Sequence, residues 1–321
     1  MKIAIIGLGR VAEIHANALR EIDPELFAGG WNRTESRARE FCSRFGGQAY
    51  SSIDELLSDT SVNAILVATS TSYHFEFAKQ ALLAGKHVLL EKPLCEEEGQ
   101  IRELADIARS MSRICMPSHN YIYAQDVQRL HAHVKAGRLG RIVSYWAMFN
   151  KRHPASIGES DLTMRELMIH HTYSMLYLVG RPSHVVATGT NVHFDNKEAH
   201  DQLLITAQFP DGAVANLWGS FSADDQSREP WSLCFKILGS EGSGIVPWGV
   251  VKYGSASEPF WDDASYRDSF FHIQNFFLKE CVAKNASPLS TLDDAHDAAR
   301  ILNAARKSLA EGRRISIDYD P

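Results

Sequence analysis

The chain has 321 residues, of which 45% are hydrophobic and 22% charged, so it contains enough apolar side chain for more than one domain core. The formal net charge is −6, and the sequence has no run of basic residues. This charge pattern argues against a protein that binds nucleic acid or an anionic membrane. No apolar stretch approaches the roughly 18 residues of a membrane helix, and the first residues lack a signal-peptide pattern. We therefore expect a cytoplasmic protein.

Strands and helices alternate over the first 120 residues. Strands are predicted at residues 2–6, 26–31, 64–68, 87–90 and 113–115. Helices are predicted at residues 11–21, 35–45, 53–57, 73–84 and 99–110. This alternation predicts an α/β domain over residues 1–120, with a doubly wound parallel sheet of the Rossmann type.

Beyond residue 120 the pattern changes to consecutive strands. Strands are predicted at residues 142–149, 184–190, 202–209, 213–220, 231–239 and 244–248, and helices at 124–136, 163–179 and 292–311. Short turns between the strands predict an α+β domain over residues 121–321 with a large, mostly antiparallel sheet. Its aromatic residues Trp218, Phe221, Trp231 and Phe235 indicate a sheet core or a subunit interface. We expect a homodimer or homotetramer formed through this sheet.

The first predicted strand runs into Gly7-Leu8-Gly9-Arg10-Val11-Ala12, which opens the first predicted helix. In a dinucleotide site Gly7 would allow the tight turn, Gly9 would let the backbone approach the pyrophosphate, and Ala12 would let the helix pack closely. Arg10 and Val11 begin the helix whose free N–H groups would hold the pyrophosphate. The alternative is a glycine turn in another kind of α/β protein.

The end of the second predicted strand bears on the choice between NAD and NADP. NAD enzymes usually place a carboxylate there to bind the ribose 2′-OH, whereas this chain has Asn32. Arg33, and Arg37 one helical turn later, are suited to pair with a 2′-phosphate. The alternative is that Arg33 is a solvated loop residue. We expect NADP to be favoured over NAD.

Glu91-Lys92-Pro93 follows the predicted strand at residues 87–90. Together with the glycine motif and the segments at 69–74 (TSTSYH), 84–93 (AGKHVLLEKP) and 136–142 (AGRLGRI), it resembles the glucose–fructose oxidoreductase, inositol dehydrogenase and MocA family (Gfo/Idh/MocA). The resemblance covers most of the chain. It implies an oxidoreductase that transfers a hydride between NAD(P) and the CH–OH or C=O group of a sugar, cyclitol or related polyol.

The resemblance also implies roles for particular residues. Lys92 would lie at the nicotinamide and the substrate hydroxyl, and Thr69, Ser70, His74 and Glu91 would belong to the cofactor side. The end of a parallel strand is where ligands bind in open α/β sheets, which agrees with the position of Lys92. The alternative for Lys92 is an ordinary surface lysine.

Oxidation of an alcohol by hydride loss needs a base for the hydroxyl proton, and a histidine is suited to that near neutral pH. The family pattern of an acidic residue followed four positions later by a histidine falls on Glu166 and His170. In an α-helix this spacing would stack the two on one face. The Lys92 ammonium would stabilise the alkoxide as the proton leaves.

The chain departs from the family pattern at four positions. Glu166 stands where the family usually has Asp, Met168 where it has Gly, Tyr173 where it often has Asp, and Ser70 where it has Pro. These departures indicate a differently shaped substrate pocket, with His171 as a second candidate base. The residues predicted for the substrate side are His119, Asn120, Tyr121, His171 and Tyr173.

A metal is not expected, because the histidine segment lacks H-E-x-x-H and has no nearby cysteine or carboxylate cluster. The five cysteines are widely spaced without a C-x-x-C pair, which predicts reduced thiols.

Two other functions stay open within the family resemblance. One is a glycoside hydrolase that uses a tightly held NAD for transient oxidation, and the other is a dinucleotide-binding sensor without turnover.

Overall fold

The structure is a computed structural model that describes residues 1–223, 233–247 and 264–319. The chain packs into two compact units, one formed by Met1–Ala124 with Tyr266–His296 and the other by Gln125–Ser265 with Asp297–Pro321. The predicted boundary after residue 120 remains a prediction. What the sequence did not indicate is that a late segment, Tyr266–His296, packs with the first unit.

The first unit contains a six-stranded sheet in the order β3-β2-β1-β4-β5-β6, and every neighbouring pair in it is parallel. Its strands are β1 (Ile3–Ile6), β2 (Phe27–Trp31), β3 (Gln48–Ala49), β4 (Ala64–Val67), β5 (His87–Leu90) and β6 (Cys115–Pro117). Its first five helices are α1 (Arg10–Ile22), α2 (Glu35–Phe45), α3 (Ile53–Ser58), α4 (His74–Leu83) and α5 (Glu98–Ser110). The predicted Rossmann fold is confirmed.

The central strands of this sheet are buried on both faces. β1 and β4 are four-residue apolar runs in which no residue is exposed, as expected for parallel strands covered by helices on both sides. Because all the strands run the same way, the loops that follow β1, β2, β4 and β5 lie at the same edge of the sheet. That edge is where ligands bind in folds of this class.

The second unit contains a seven-stranded sheet in the order β12-β11-β7-β10-β9-β8-β13, antiparallel except for the pair β7 and β10. Its strands are β7 (Ile142–Asn150), β8 (His184–Thr190), β9 (Gln202–Gln208), β10 (Val214–Ser220), β11 (Leu233–Gly239), β12 (Ser243–Pro247) and β13 (Ile315–Ser316). Its helices include α6 (Gln125–Lys135) and α7 (Ile169–Val179). The predicted mostly antiparallel sheet is confirmed, while Trp231 and Trp248, at the ends of two predicted strands, lie outside the described residues.

One face of this sheet is covered by the segment that leads into α7. Residues Met164–Met168 form a π-helical turn directly before that helix. Gly219 in β10 lies under the turn, and a Cβ atom there would come within 2.9 Å of the Met168 sulfur and 3.3 Å of Leu167 Cβ. A glycine at this point lets the turn pack directly on the sheet.

The late helices complete the two units. α8 (Ala264–Phe276) continues into a π-helical segment, Phe277–Val282, and α9 (Leu292–Glu311) follows. Short 3-10 turns lie at Pro24–Leu26, Thr71–Tyr73, Asn120–Tyr123 and Ala155–Ile157. Within the described parts of the chain, the helices are too short or too polar to cross a membrane.

Candidate functional site

A cleft of about 360 Å³ lies at the carboxyl edge of the parallel sheet in the first unit. It is lined by the loops that follow β1, β2 and β4. The predicted cofactor residues found in its lining are Gly7, Gly9, Asn32, Arg33, Arg37, Thr69 and Ser70. Three segments that are distant in the sequence therefore meet at one cleft.

The glycine turn of this cleft has the geometry that a dinucleotide needs. Gly7 has a φ of +90°, and a Cβ atom there would lie 2.6 Å from Thr69 Cγ2. Gly9 is the N-cap of α1, has no atom within 4 Å of where its Cβ would be, and makes no side-chain cap. The N–H groups at the start of α1 thus have neighbouring space for an anion such as a pyrophosphate.

Asn32 joins the glycine turn to the end of β2. Its Oδ1 accepts a hydrogen bond from the Leu8 N–H at 3.4 Å, and its Nδ2 donates to the Thr34 carbonyl at 3.2 Å. A carboxylate here would place a negative charge in the cleft, whereas the amide is neutral. The position therefore adds no negative charge to the cleft.

Arg33 and Arg37 both line the cleft and both are exposed. The nearby Glu35 carboxylate forms an ion pair with Arg39. Across the ranges that the structure describes, neither Arg33 nor Arg37 forms an ion pair. Two guanidinium groups are therefore accessible to an anion beside Asn32.

An aromatic wall, not predicted from the sequence, borders the same cleft. The rings of Trp31 and Phe77 meet edge to face at 5.7 Å, and Tyr73 stacks on Phe77 at 6.1 Å. Flat apolar surfaces of this kind suit stacking with a planar base. The signal in the sequence was the i,i+4 spacing of Tyr73 and Phe77 at the start of a helix.

Five predicted cofactor residues, among them Lys92, are not in the lining of this cleft. Arg10 and Val11 begin α1, with the Arg10 side chain exposed. His74 is buried, and its two ring nitrogens lie 2.8 Å from the Pro93 carbonyl and 2.9 Å from the Thr69 carbonyl. Its position indicates that it ties the loops after β4 and β5 together.

Glu91 is the fourth of these residues, and its carboxylate is buried beneath the loop that carries Lys92. Oε1 accepts hydrogen bonds from His15 Nε2 at 2.8 Å and from the Ser118 hydroxyl at 2.5 Å. Oε2 accepts one from the backbone N–H of Lys92 at 3.1 Å. Burial alone would raise the pKa of Glu91, but His15, Ser118 and the Lys92 charge outweigh burial and lower it. Glu91 therefore supports the loop from inside as an anion.

In the second unit, His170 lies one residue into α7 and is buried. Its Nδ1 lies 2.6 Å from the hydroxyl of Tyr173, one turn later on the same helix. Tyr173 is thus hydrogen-bonded to the candidate base at the position where the family often carries an Asp. A second group that fixes the orientation of a base is a common feature of catalytic histidines.

Glu166 lies within the π-helical turn, and its Oε1 is 3.5 Å from Nε of Arg165. The predicted stacking of Glu166 on His170 assumed a continuous α-helix. The structure instead has a π-helical turn, which bonds i to i+5, at Met164–Met168 directly before α7. The predicted stacking and the predicted role of Glu166 stay predictions.

His171 points away from His170, toward the sheet. Its Nε2 donates to the Trp218 carbonyl at 2.9 Å, and its ring meets Phe235 edge to face at 6.5 Å. Complete burial lowers the pKa of His171 to about 4, so the ring is neutral at pH 7. This environment is that of a structural histidine and argues against His171 as a base or a substrate contact.

The predicted substrate residues at 119–121 are all buried in the first unit. His119 Nδ1 lies 2.7 Å from the Ser290 hydroxyl, and burial lowers the pKa of His119 to about 3. The Asn120 amide donates to Ser269 Oγ at 2.8 Å, and the ring of Tyr121 meets that of Tyr266 edge to face. All three contact the late segment Tyr266–His296, which indicates a packing role.

No group of three or more histidine, cysteine or acidic side chains is placed to hold a metal ion in the segments that the structure describes. The cysteines are free thiols, and burial raises the pKa of Cys42, Cys95, Cys115, Cys234 and Cys281.

Two family models match the chain. Residues 1–119 match the oxidoreductase family with an NAD-binding Rossmann fold, and residues 127–244 match the GFO/IDH/MocA C-terminal domain. Over 99% of both chains, the protein is 26% identical to a myo-inositol 2-dehydrogenase of Thermotoga maritima.

Solved structures share the fold along the whole chain. A probable dehydrogenase from Thermotoga maritima has a TM-score of 0.88 at 24% identity, covering 98% of each chain. A levoglucosan dehydrogenase in complex with NADH and levoglucosan has a TM-score of 0.84 at 20% identity, covering 100% of each. At these identities the likeness establishes the fold.

The pKa of His171 leads to a prediction about acid stability. Its pKa is about 4 in the folded protein and about 6.5 when exposed, so between pH 6.5 and 4 only the unfolded chain gains the proton. Stability should therefore fall as the pH drops through that window. His171→Gln keeps a donor for the Trp218 carbonyl but does not titrate, and it should reduce the acid loss by about 2 kcal/mol. Urea unfolding at pH 7.5 and 4.5 measures this, and an equal loss in both proteins would contradict it.

Proposed function

The chain belongs to the Gfo/Idh/MocA oxidoreductase family, and from this we propose that it transfers a hydride between NADP and the CH–OH or C=O group of a sugar, cyclitol or related polyol. The observation that carries the proposal is the cleft after β1, β2 and β4, where a glycine turn, the start of a helix and two arginines converge. Support also comes from relatives described as acting on myo-inositol and levoglucosan.

A bound nicotinamide dinucleotide would supply the hydride acceptor or donor. His170 is the proposed acid–base group for the substrate hydroxyl. For Nε2 to accept a proton, Nδ1 must carry the other proton and donate it to the Tyr173 oxygen, which lies 2.6 Å away. The phenol oxygen can accept this hydrogen bond, so the contact with Tyr173 is compatible with the tautomer in which Nε2 is basic.

Lys92 is the proposed cation that stabilises the alkoxide as the hydroxyl proton leaves. Its loop is fixed from below by the Glu91 carboxylate, which accepts the Lys92 backbone N–H. Glu166 is proposed to tune the electrostatics at the start of α7, since its charge is shared with Arg165.

The preference for NADP rests on the surroundings of Asn32. The two cleft arginines, Arg33 and Arg37, offer guanidinium groups for a 2′-phosphate, and no carboxylate occupies the position of Asn32. The neighbouring acid, Glu35, is already paired with Arg39. Adenine would stack on the aromatic wall formed by Trp31, Tyr73 and Phe77.

We also propose that two copies associate through the second face of the large sheet. Strand alternation places Trp146, Trp218 and Leu204 on one face, where they are 51%, 37% and 41% exposed. Further exposed apolar residues on that face are Val186, Val214 and Ile245. Six exposed apolar residues on one face of a sheet are typical of an interface.

The catalytic proposal predicts a specific loss of turnover. In nicotinamide absorbance assays with a panel of sugars, cyclitols and their keto forms, His170→Asn should lower kcat about 10²- to 10⁴-fold. Tyr173→Phe should lower kcat about tenfold, because the phenol oxygen that bonds to Nδ1 of His170 is lost. Dinucleotide affinity should be unchanged in both.

The control is His133→Asn, which changes an exposed histidine on α6. Full turnover in His170→Asn would contradict the assigned base. Dinucleotide binding without turnover of any substrate would favour a sensor, and glycoside cleavage without net change in nicotinamide absorbance would favour the hydrolase.

The cofactor proposal predicts a selective effect of the arginines. Arg33→Ala and Arg37→Ala should each weaken NADP binding about 10- to 100-fold, since each removes charge-assisted hydrogen bonds to the phosphate, and should change NAD binding little. Asn32→Asp should reverse the preference. Arg109→Ala is the control, because Arg109 is an exposed arginine on α5 that pairs with Asp106 and does not line the cleft. Calorimetric titration measures all four, and a wild-type protein that binds NAD more tightly than NADP would refute the preference.

The interface proposal predicts that a charge on the sheet face separates the copies. Trp146→Glu should convert the wild-type oligomer to a smaller species in sedimentation velocity, because the carboxylate would be buried without a partner. Val192→Glu is the control, since Val192 is 68% exposed and lies after the end of β8, off the sheet. A monomeric wild type, or an unchanged mass for Trp146→Glu, would refute the interface.

A further inference from the structure

A buried chain of hydrogen bonds connects α8 to the loop that carries Lys92. The Gln274 amide nitrogen lies 2.8 Å from Nδ1 of His15, and His15 Nε2 lies 2.8 Å from Glu91 Oε1. Glu91 Oε2 in turn accepts the backbone N–H of Lys92 at 3.1 Å. Gln274 and His15 have no exposed surface, and Glu91 is 6% exposed.

The donors and acceptors of this chain can be assigned one by one. An ionised Glu91 can only accept, so the proton between it and His15 belongs to His15 Nε2. The Gln274 amide nitrogen, which can only donate, faces Nδ1 at 2.8 Å, so Nδ1 accepts that N–H and carries no proton itself. The direction is therefore Gln274 to His15 to Glu91, with His15 neutral and protonated on Nε2.

The alternative arrangement would have a different charge. With the Gln274 amide turned over, its oxygen would face Nδ1, and His15 could satisfy both neighbours only as the imidazolium. Glu91 would then be half of a buried ion pair, and its carboxylate would be drawn toward His15. The orientation of the Gln274 amide thus determines whether His15, in the chain beneath Lys92, is neutral or charged.

α8 also holds the His15 ring in place. Phe270, one turn before Gln274, meets that ring edge to face with the centroids 4.7 Å apart. His15 lies in α1, the helix whose start faces the dinucleotide cleft, and Gln274 is 259 positions away in the chain. The return of Tyr266–His296 to the first unit is what brings these groups together.

We propose that Gln274 is a positioning residue for Lys92, acting through the tautomer of His15 and the carboxylate of Glu91. The proposal rests on the proposed function for the role of Lys92. Its structural part, which is the tautomer of His15 and the hydrogen bond that protects the Lys92 backbone N–H, can be measured without any substrate.

The test compares wild type with Gln274→Met, which keeps the side-chain length but cannot donate, and with Gln274→Glu. Nitrogen-15 NMR of labelled histidine should give a wild-type His15 protonated on Nε2 alone. Gln274→Glu should give a His15 protonated on both nitrogens, because a second carboxylate then faces the ring. In Gln274→Met, amide hydrogen exchange at Lys92 should be about tenfold faster than in wild type.

Ser269→Ala is the matched control, because Ser269 is also on α8 and also buried, but it bonds to Asn120 and not to His15. It should lower the melting temperature without altering the His15 tautomer or the Lys92 amide. A wild-type His15 protonated on Nδ1 would overturn the proposal. So would an unchanged Lys92 exchange rate in Gln274→Met.

Steady-state kinetics provide a second test of the positioning role of Gln274. Gln274→Met should lower kcat about tenfold with the affinity for the dinucleotide unchanged, since a displaced Lys92 affects the reacting atoms and not the cleft. An unchanged kcat would overturn the positioning role. If the wild type itself turns over no polyol, the proposed function fails, while the NMR and exchange results still decide the hydrogen-bond chain.

Discussion

A buried carboxylate determines much of the arrangement at the carboxyl edge of the parallel sheet. Transfer of Glu91 from water into the interior is costly unless every oxygen is bonded. The donors that meet this requirement come from separate places: His15 from α1, Ser118 from the end of β6, and the backbone of Lys92. Because each of these donors bonds to Glu91, the carboxylate fixes the positions of α1, the end of β6 and the Lys92 loop relative to one another.

The cleft itself depends on a second constraint, the close approach of backbone to backbone at the glycine turn. Gly7 lies against Thr69 so tightly that any side chain would collide with the loop after β4. Asn32 completes the contact by accepting the Leu8 N–H from the loop after β2. These short-range contacts hold the three loops in place independently of any ligand, which is the pre-organisation expected of a dinucleotide site.

Most of the fold could be predicted from the sequence, because short apolar runs and amphipathic helices are local patterns. The Rossmann domain, the mostly antiparallel sheet and the glycine turn follow from such patterns. The packing of Tyr266–His296 with the first unit could not be predicted, since it depends on contacts such as Gln274 to His15 between residues far apart in the chain. The two-residue strands β3 and β13 are too short to carry a periodic signal.

The candidate site was predictable to a different degree in each unit. The residues of the cleft were found from motif spacing, whereas the aromatic wall depends on a contact between Trp31 and Phe77 from separate elements. The π-helical turn at Met164–Met168 has no distinguishing sequence pattern, so the geometry expected of Glu166 was that of an α-helix. Residues 119–121 follow β6, but their contacts with the late segment could not be predicted from local sequence.

The two adjacent histidines of α7, His170 and His171, lie in different environments because the helix directs neighbouring side chains to different sides. Successive side chains on an α-helix point about 100° apart, so one of the pair faces the sheet and the other does not. His171 contacts the Trp218 carbonyl and is neutral, since burial lowers its pKa to about 4. His170 meets the Tyr173 hydroxyl instead, one turn along the helix. A phenol is a neutral partner, so it can orient the ring without the charge that a carboxylate would add. Tyr173 therefore bonds to His170 without placing a negative charge beside it.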